Sequence, residues 1–155
     1  MLLFRAICAL LMAWAINYAL SRPEASALLL EVPEFTTVGP IAGAAIGFVS
    51  LSTRQGWGLV VAIANGIWAG VLSLALASML YVIVKLAPAF ARGLVTDFEG
   101  FLRVAGSALE PLMLFALDFS LILTIIGATA VVGVLSEILH WTLVKLRERS
   151  EDSMV

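Results

Sequence analysis

The longest uncharged stretch of the chain covers residues 55–84, thirty residues between Arg54 and Lys85 that carry no formal charge. A helix needs about 20 mostly apolar residues to cross the hydrocarbon core of a bilayer, which is roughly 30 Å thick. As a single helix the stretch is roughly 45 Å long at about 1.5 Å per residue, so we expect it to tilt or to project beyond the hydrocarbon. This stretch predicts a membrane protein.

The composition of the whole chain agrees with that prediction. Of its 155 residues 62% are hydrophobic and 13% charged, and the mean hydropathy of +1.08 lies outside the usual range of a soluble domain. The net charge of −2 leaves no basic face to neutralise phosphates, so we expect no nucleic acid among the partners. Cys8 is the only cysteine, which excludes a disulfide within the chain, and we interpret it as a buried thiol.

Charges and helix breakers divide the chain into four apolar segments within a single domain, 1–155. We predict an all-α polytopic membrane protein embedded in the lipid bilayer. Its transmembrane helices are expected at about 3–20, 38–52, 57–85 and 112–140.

The connections between these segments differ in character. An acidic connection at 22–34 with two prolines joins the first two spans, and the turn at 53–56 is so short that spans two and three must form an antiparallel hairpin. An amphipathic helix at about 88–110, lying on the membrane surface, is expected between the third and fourth spans. The alternative is that this helix binds another protein. A basic tail, 145–155, follows the last span.

Small residues recur at four-residue spacing on the second and third spans. The two series comprise Gly39, Gly43 and Gly47, then Gly58, Ala62, Gly66 and Gly70. This G-x-x-x-G spacing places small residues on one helix face, where another backbone can approach closely. We expect the two faces to pack together, with Asn65 beside the contact as its one strongly polar member. The alternative is that glycine is simply common in transmembrane helices.

Ionisable residues mark the last span and leave two interpretations open. If the hydrocarbon segment is 119–139, Asp118 and Glu137 lie at opposite interfaces. If it begins at Leu112, Asp118 lies inside the membrane, where a carboxylate is normally functional or paired. Glu137, His140 and Trp141 together are typical of an interfacial anchor, with an indole and ionisable groups among lipid headgroups.

The residues that carry chemistry do not form a recognisable catalytic set. Glu137-x-x-His140 has the spacing of one di-iron ligand pair, but His140 is the only histidine, so the ligand set cannot be completed within one chain. No nucleophile elbow, phosphate loop or dinucleotide fingerprint is present in the sequence. We therefore predict that the protein is not an enzyme and has no metal site and no cofactor.

Basic residues near the helix ends predict the orientation in the membrane. With an even number of spans both termini share one side, and that side collects Arg5, Arg54 and the basic cluster at 145–149. Because basic residues concentrate in cytoplasmic segments, we predict that both termini are cytoplasmic.

Three short segments carry a resemblance to a known family. They are Arg54-Gln55-Gly56-Trp57-Gly58, Asp97-Phe98-Glu99-Gly100 and Gly133-Val134-Leu135-Ser136-Glu137. Their order, together with the acidic connection and the glycine-rich second span, resembles the tellurium-resistance-associated TrgA family of alphaproteobacterial membrane proteins. The resemblance covers about 38–141 and implies a bacterial inner membrane and a link to tellurite resistance.

Two functions remain after these exclusions. The first is a non-enzymatic accessory or assembly subunit that packs through its small-residue faces into a homo-oligomer or a larger membrane complex. The second is a small transporter or exporter of an oxyanion or another solute, acting as an oligomer. Polar groups available to line a path are Asn17, Asn65, Ser73, Ser78, Asp118 and Thr124. No basic residue lies at the centre of a span to receive an anion, which favours the first function.

Overall fold

Five α-helices make up the part of the chain that the computed structural model describes. That part comprises residues 2–22, 30, 32–53, 56–93, 95 and 97–152, except for the side chains at 114–116 and 150–152. The helices are α1 Leu2–Leu20, α2 Phe35–Val49, α3 Leu59–Ala91, α4 Phe98–Leu117 and α5 Phe119–Asp152, with a 3-10 turn Leu51–Thr53 after α2. Within the described ranges, four segments are long and apolar enough to cross a membrane: α1, α2 with its turn, α3 and α5. The predicted all-α architecture with four spans is confirmed.

The four apolar helices form a bundle in which each packs mainly against two neighbours. Both α1 and α3 lie between α2 and α5, so the order around the bundle is α1, α2, α3, α5. At one end, which we call the Lys85 end, Glu34 before α2 pairs with Lys85 on α3. At the opposite end, the His140 end, Phe4 of α1 packs edge-on against His140 of α5. The start of α1 and the last third of α5 therefore share one end of the bundle.

Buried apolar side chains fill the bundle in two clusters. Near the Lys85 end the cluster includes Ile16, Leu20, Phe35, Tyr81, Leu121 and Ile125. Near the His140 end it comprises Cys8, Met12, Ala15, Leu51, Ala69 and Val132. Cys8 is buried, as expected from its apolar surroundings in the sequence.

Close contacts between backbones join the helices in two pairs. On α2, a Cβ atom built on Gly47 would lie 2.6 Å from the carbonyl oxygen of Cys8 on α1. On α3, a Cβ atom built on Gly66 would lie 2.3 Å from the carbonyl oxygen of Thr129 on α5. Distances below about 3 Å leave no room for a methyl group, so each pair approaches as closely as glycine allows.

The expected contact between the two series of small residues is wrong. The atoms nearest to Gly43 and Gly47 belong to α1, and those nearest to Gly66 and Gly70 belong to α5. Spacing along a helix shows that a neighbour can approach closely, but it does not say which neighbour does so. The partner of Gly66 includes Gly133 on α5, a glycine outside both series.

Gly58 does not belong to the packing face either. It precedes α3 as its N-terminal cap residue, with φ 94° and ψ 164°. No atom lies within 4 Å of a Cβ built there. Its place in the four-residue series is a coincidence of spacing, and its backbone has a different role.

The helix boundaries near the last span also differ from the expected ones. The amphipathic segment predicted at 88–110 begins inside α3, whereas α4 covers Phe98–Leu117 and includes Pro111. The last span begins at Phe119, because Asp118 interrupts the helix and its carboxylate accepts a hydrogen bond from the Leu121 N–H at 3.1 Å. The location of α4 on the membrane surface stays a prediction. The acidic connection and the Arg54-Gln55 pair lie largely outside the described residues.

Candidate functional site

Glu137 on α5 is a buried carboxylate at the His140 end, with 1% of the residue exposed. The Gly56 N–H donates to its Oε2 at 2.9 Å, and the Gly58 N–H donates to its Oε1 at 3.1 Å. Burial of a carboxylate is costly unless hydrogen bonds replace its hydration. Hydrogen bonds to a charged group contribute about 1.5–3 kcal/mol each, so these two bonds offset much of that cost. Together they connect α5 to the loop between α2 and α3.

The loop backbone explains why glycines stand on both sides of Trp57. Gly56 has φ 92° and Gly58 has φ 94°, a region in which other residues are strained. This conformation turns two alternate N–H groups toward the same carboxylate, while the Trp57 side chain is 77% exposed. The Gly-Trp-Gly sequence is therefore required by the backbone that binds Glu137.

The predicted interfacial anchor is wrong for Glu137, which faces the protein interior instead of lipid headgroups. Its location at the edge of an uncharged run suggested an exposed group, but the acceptor is covered by a loop 79 and 81 residues earlier in the chain. Trp141 is exposed. His140 is half-buried, with its ring centroid 6.0 Å from that of Phe4.

An open pocket of about 520 Å³ lies beside the Glu137 contact. Residues of α1, of the turn after α2 and of α5 line it: Phe4, Arg5, Ser52, Thr53, His140, Leu143, Val144 and Arg147. The lining combines two guanidinium groups and an imidazole with two hydroxyls and three apolar side chains. Sequence reasoning did not find this pocket, although the i, i+3, i+4, i+7 spacing from His140 to Arg147 marks one face of a helix.

A second polar cluster lies at the Lys85 end. The Lys85 Nζ donates to Oε1 of Glu34 at 2.6 Å and lies 5.5 Å from the ring centroid of Tyr81, which packs edge-on against Phe35. The Lys85 ammonium holds the pKa of Glu34 below its usual value. Sequence reasoning missed this pair, but a signal existed: both charges border the membrane-spanning parts of one predicted hairpin at the same end.

The other residues singled out from the sequence lie apart from the Glu137 contact. Asp118 caps α5 at the Lys85 end, 19 residues and roughly 28 Å along the helix from Glu137, so the two carboxylates cannot share one site. Asn65 is half-buried on α3. Only Glu137 and His140 are brought together, and both lie beside Gly56: its N–H donates to Glu137, and a Cβ built on it would lie 3.3 Å from the His140 Nε2.

The geometry around Glu137 is that of a structural contact. Each carboxylate oxygen accepts one backbone N–H, so Glu137 is arranged to hold the loop. Among the described residues there is no group of three or more His, Cys, Asp or Glu side chains placed to hold a metal ion. Comparisons with models of protein families, with curated proteins and with solved structures found no match for this chain.

Proposed function

We propose that this chain is a non-enzymatic integral membrane protein that acts as an accessory or assembly subunit within a homo-oligomer or a larger membrane complex. The observation that carries the proposal is the closed interior of the bundle. The buried hydroxyls of Ser73, Thr129 and Ser136 each donate to a carbonyl of their own helix, at 2.7, 2.8 and 2.7 Å. Close contacts such as Gly66 with Thr129 fill the space between the helices.

This interior does not favour a solute path through one subunit. A path needs polar groups that can replace the hydration of the solute. Of the residues expected to line it, Asn17 lies on the exposed outer surface, and the Thr124 hydroxyl donates to the Ser120 carbonyl of its own helix at 2.9 Å. These side chains are directed to lipid or to their own backbone. Contact with other proteins is the function that the arrangement supports better.

We also propose an orientation in the membrane and the membrane in which the protein lies. Arg5 and Arg147 lie at the His140 end, together with the basic end of α5. Concentrated basic residues favour the cytoplasmic face, so we place the His140 end and both termini inside, in a bacterial inner membrane. The resemblance to the TrgA family supports a role in tellurite resistance, which a deletion strain tests through its growth on tellurite.

Two measurements on the full chain test the accessory role. The first is purification in a mild detergent from the native membrane, followed by identification and quantification of the accompanying proteins. A stoichiometric partner or a stable homo-oligomer supports the proposal. The second is reconstitution into liposomes with tellurite or another solute, with empty liposomes as the control. Solute flux well above that of the empty liposomes, with only a monomer recovered from the membrane, would overturn the proposal.

A further inference from the structure

We propose that the pocket at the His140 end binds the headgroup of an anionic membrane lipid that carries free hydroxyls, of the phosphatidylglycerol type. Among the residues that the structure describes, the lining supplies two guanidinium groups, Arg5 and Arg147, and no carboxylate. Arginine binds phosphate oxygens strongly because its planar N–H donors match their geometry. Glu137 lies nearby, but both of its oxygens already accept hydrogen bonds and it does not line the pocket.

The two arginines are held on different elements that meet at the pocket. The Arg5 guanidinium lies over the Phe48 ring, with its Cζ 5.9 Å from the ring centroid, which brings α1 and α2 together there. Arg147 lies two turns beyond His140 on the face of α5 that lines the pocket. A phosphate between them would be reached from both sides of the opening. An exposed lysine or arginine on one helix alone does not offer such an arrangement.

The hydroxyls and the apolar side chains select the kind of ligand. Ser52 donates its hydroxyl to the Phe48 carbonyl at 2.5 Å, and Thr53 donates to the Ser50 carbonyl at 3.0 Å. Their oxygen atoms therefore remain available as acceptors, which suits a headgroup with its own hydroxyl donors. Phe4, Leu143 and Val144 form apolar walls that suit the glycerol and first acyl carbons of a lipid. Inorganic phosphate would leave these walls unused.

The depth of the pocket agrees with a headgroup. Arg5 lies in the first turn of α1, and the segment of α5 after His140 is exposed at every position from 141 to 149 and carries its basic residues from Lys145 onward. The pocket thus lies where the four apolar helices give way to charged segments. Anionic lipid headgroups occupy this depth of the bilayer.

The test measures bound lipid on the full-length protein by native mass spectrometry. The probes are phosphatidylglycerol, the neutral lipid phosphatidylcholine and inorganic phosphate. The test variant is Arg5→Gln with Arg147→Gln, and the matched control is Lys145→Gln with Arg149→Gln, which removes the same charge outside the pocket. We expect the test variant, which removes direct hydrogen bonds to the phosphate, to lose phosphatidylglycerol binding by about tenfold or more. The control, whose side chains lie outside the pocket, should lose less than about threefold.

Each other outcome overturns the proposal. An equal loss in both double variants means that the general charge of this end attracts the lipid, without a site. Unchanged binding in the test variant means that the arginines do not hold it. Binding of inorganic phosphate as tight as that of the lipid means that the site takes a free anion. Arg5→Lys with Arg147→Lys keeps the charge if the glutamine variant fails to fold. This lysine variant is expected to bind more weakly than the native chain but to retain preference for phosphatidylglycerol over phosphatidylcholine, and loss of that preference contradicts the proposal.

Discussion

At Glu137 one side chain holds two parts of the membrane bundle together. The carboxylate lies on the last helix, and both of its donors belong to the loop between the second and third helices. Neither donor is a side chain, so the contact depends on a backbone that only glycine adopts easily at 56 and 58. A buried charge with two charge-assisted bonds is strongly coupled to that loop, and its loss leaves two N–H groups without an acceptor.

We expect Glu137→Gln to destabilise the protein by about 1–3 kcal/mol. A glutamine has one carbonyl oxygen, so its amide nitrogen would face one of the two N–H donors and lose that hydrogen bond. Thermal unfolding in detergent, followed by circular dichroism, measures the change. Glu148→Gln, at an exposed position on the same helix, serves as the control and is expected to be nearly neutral. Equal stability of the two variants would contradict a structural role for the Glu137 carboxylate.

The place of Glu137 near the end of the predicted last span followed from the sequence, but the burial of its side chain by the loop did not. The end of an uncharged run located it near the end of the predicted last span, whereas the helix itself continues to Asp152. The donors to Glu137 are the backbone N–H groups of Gly56 and Gly58. Almost every residue carries such a group, so the sequence does not indicate that these two bind a carboxylate. The pocket beside it was missed for a similar reason: Arg5, Ser52 and Arg147 come from three distant segments.

At the scale of helices, the bundle is held by two pairs of closely approaching backbones. Gly47 lies against α1 and Gly66 against α5, each without room for a methyl group. Gly127 on α5 is different, since no atom lies within 4 Å of a Cβ built there. The same residue type therefore has opposite roles on facing helices, and alanine substitution separates them.

Gly66→Ala is expected to destabilise the protein by about 1–3 kcal/mol, because the methyl group would push α3 away from the Thr129 carbonyl. Gly127→Ala is the matched control within a helix. It is expected to be neutral or to stabilise by up to about 1 kcal/mol, because alanine loses less backbone entropy than glycine. The measurement compares the unfolding midpoints of the two variants in one detergent. A Gly66→Ala midpoint at or above that of Gly127→Ala would contradict the close contact.

The pairing of Glu34 with Lys85 predicts a dependence of stability on acid. Lys85 keeps the pKa of Glu34 below its ordinary value of about 4.3, so the unfolded chain takes up the proton first as the pH falls. The stabilisation is complete above that ordinary value and is lost as the pH falls through the lower folded value. Because both side chains are more than one-third exposed, we expect only about 0–1 kcal/mol.

Glu34→Gln should therefore be less stable than the native chain at pH 7 and should approach it below about pH 4. The measurement is the unfolding midpoint between pH 3 and pH 7 in one detergent. Glu110→Gln, at an exposed position on α4, is the control and should keep the same offset from the native chain throughout. A constant offset for Glu34→Gln as well would show that the pair does not contribute.

The sequence predicted which helices exist better than which helices touch. Length and hydropathy determine the four spans, because the bilayer requires a minimum apolar length. Neighbours are determined by the matching of surfaces, which a single helix does not encode. Gly133 contacts Gly66 of α3 only because α5 lies beside α3. In the same way, the spacing of small residues on α2 does not indicate that α1 is the helix that packs against them. The last span begins at Phe119, beyond Pro111, because the Asp118 carboxylate caps the helix there.

At the scale of the whole molecule, the ends of the bundle differ in their chemistry. The His140 end contains the Glu137 contact, the pocket and the basic end of α5. The Lys85 end contains the Glu34 pair and the cap at Asp118. Four spans connect these ends, so we expect Leu3 and Arg149 on one side of a membrane and Pro33 on the other.

Single cysteines at these exposed positions test that arrangement in a Cys8→Ala background. A maleimide that does not cross membranes should label Leu3→Cys and Arg149→Cys from the same side. Pro33→Cys should be labelled from the opposite side. Comparison of right-side-out with inverted vesicles identifies the two sides, and the native chain, with its buried Cys8, is the control for background labelling. Labelling of positions 3 and 149 from opposite sides would require an odd number of spans.

The 79 and 81 residues that separate the loop glycines from Glu137 also affect how the protein is made. The second and third helices are translated before the residue that accepts their loop N–H groups. Until then Gly66 also lacks the α5 backbone that packs against it. We expect chains that stop before residue 137 to be cleared by membrane proteases, since the last helix made is the one that completes the earlier hairpin.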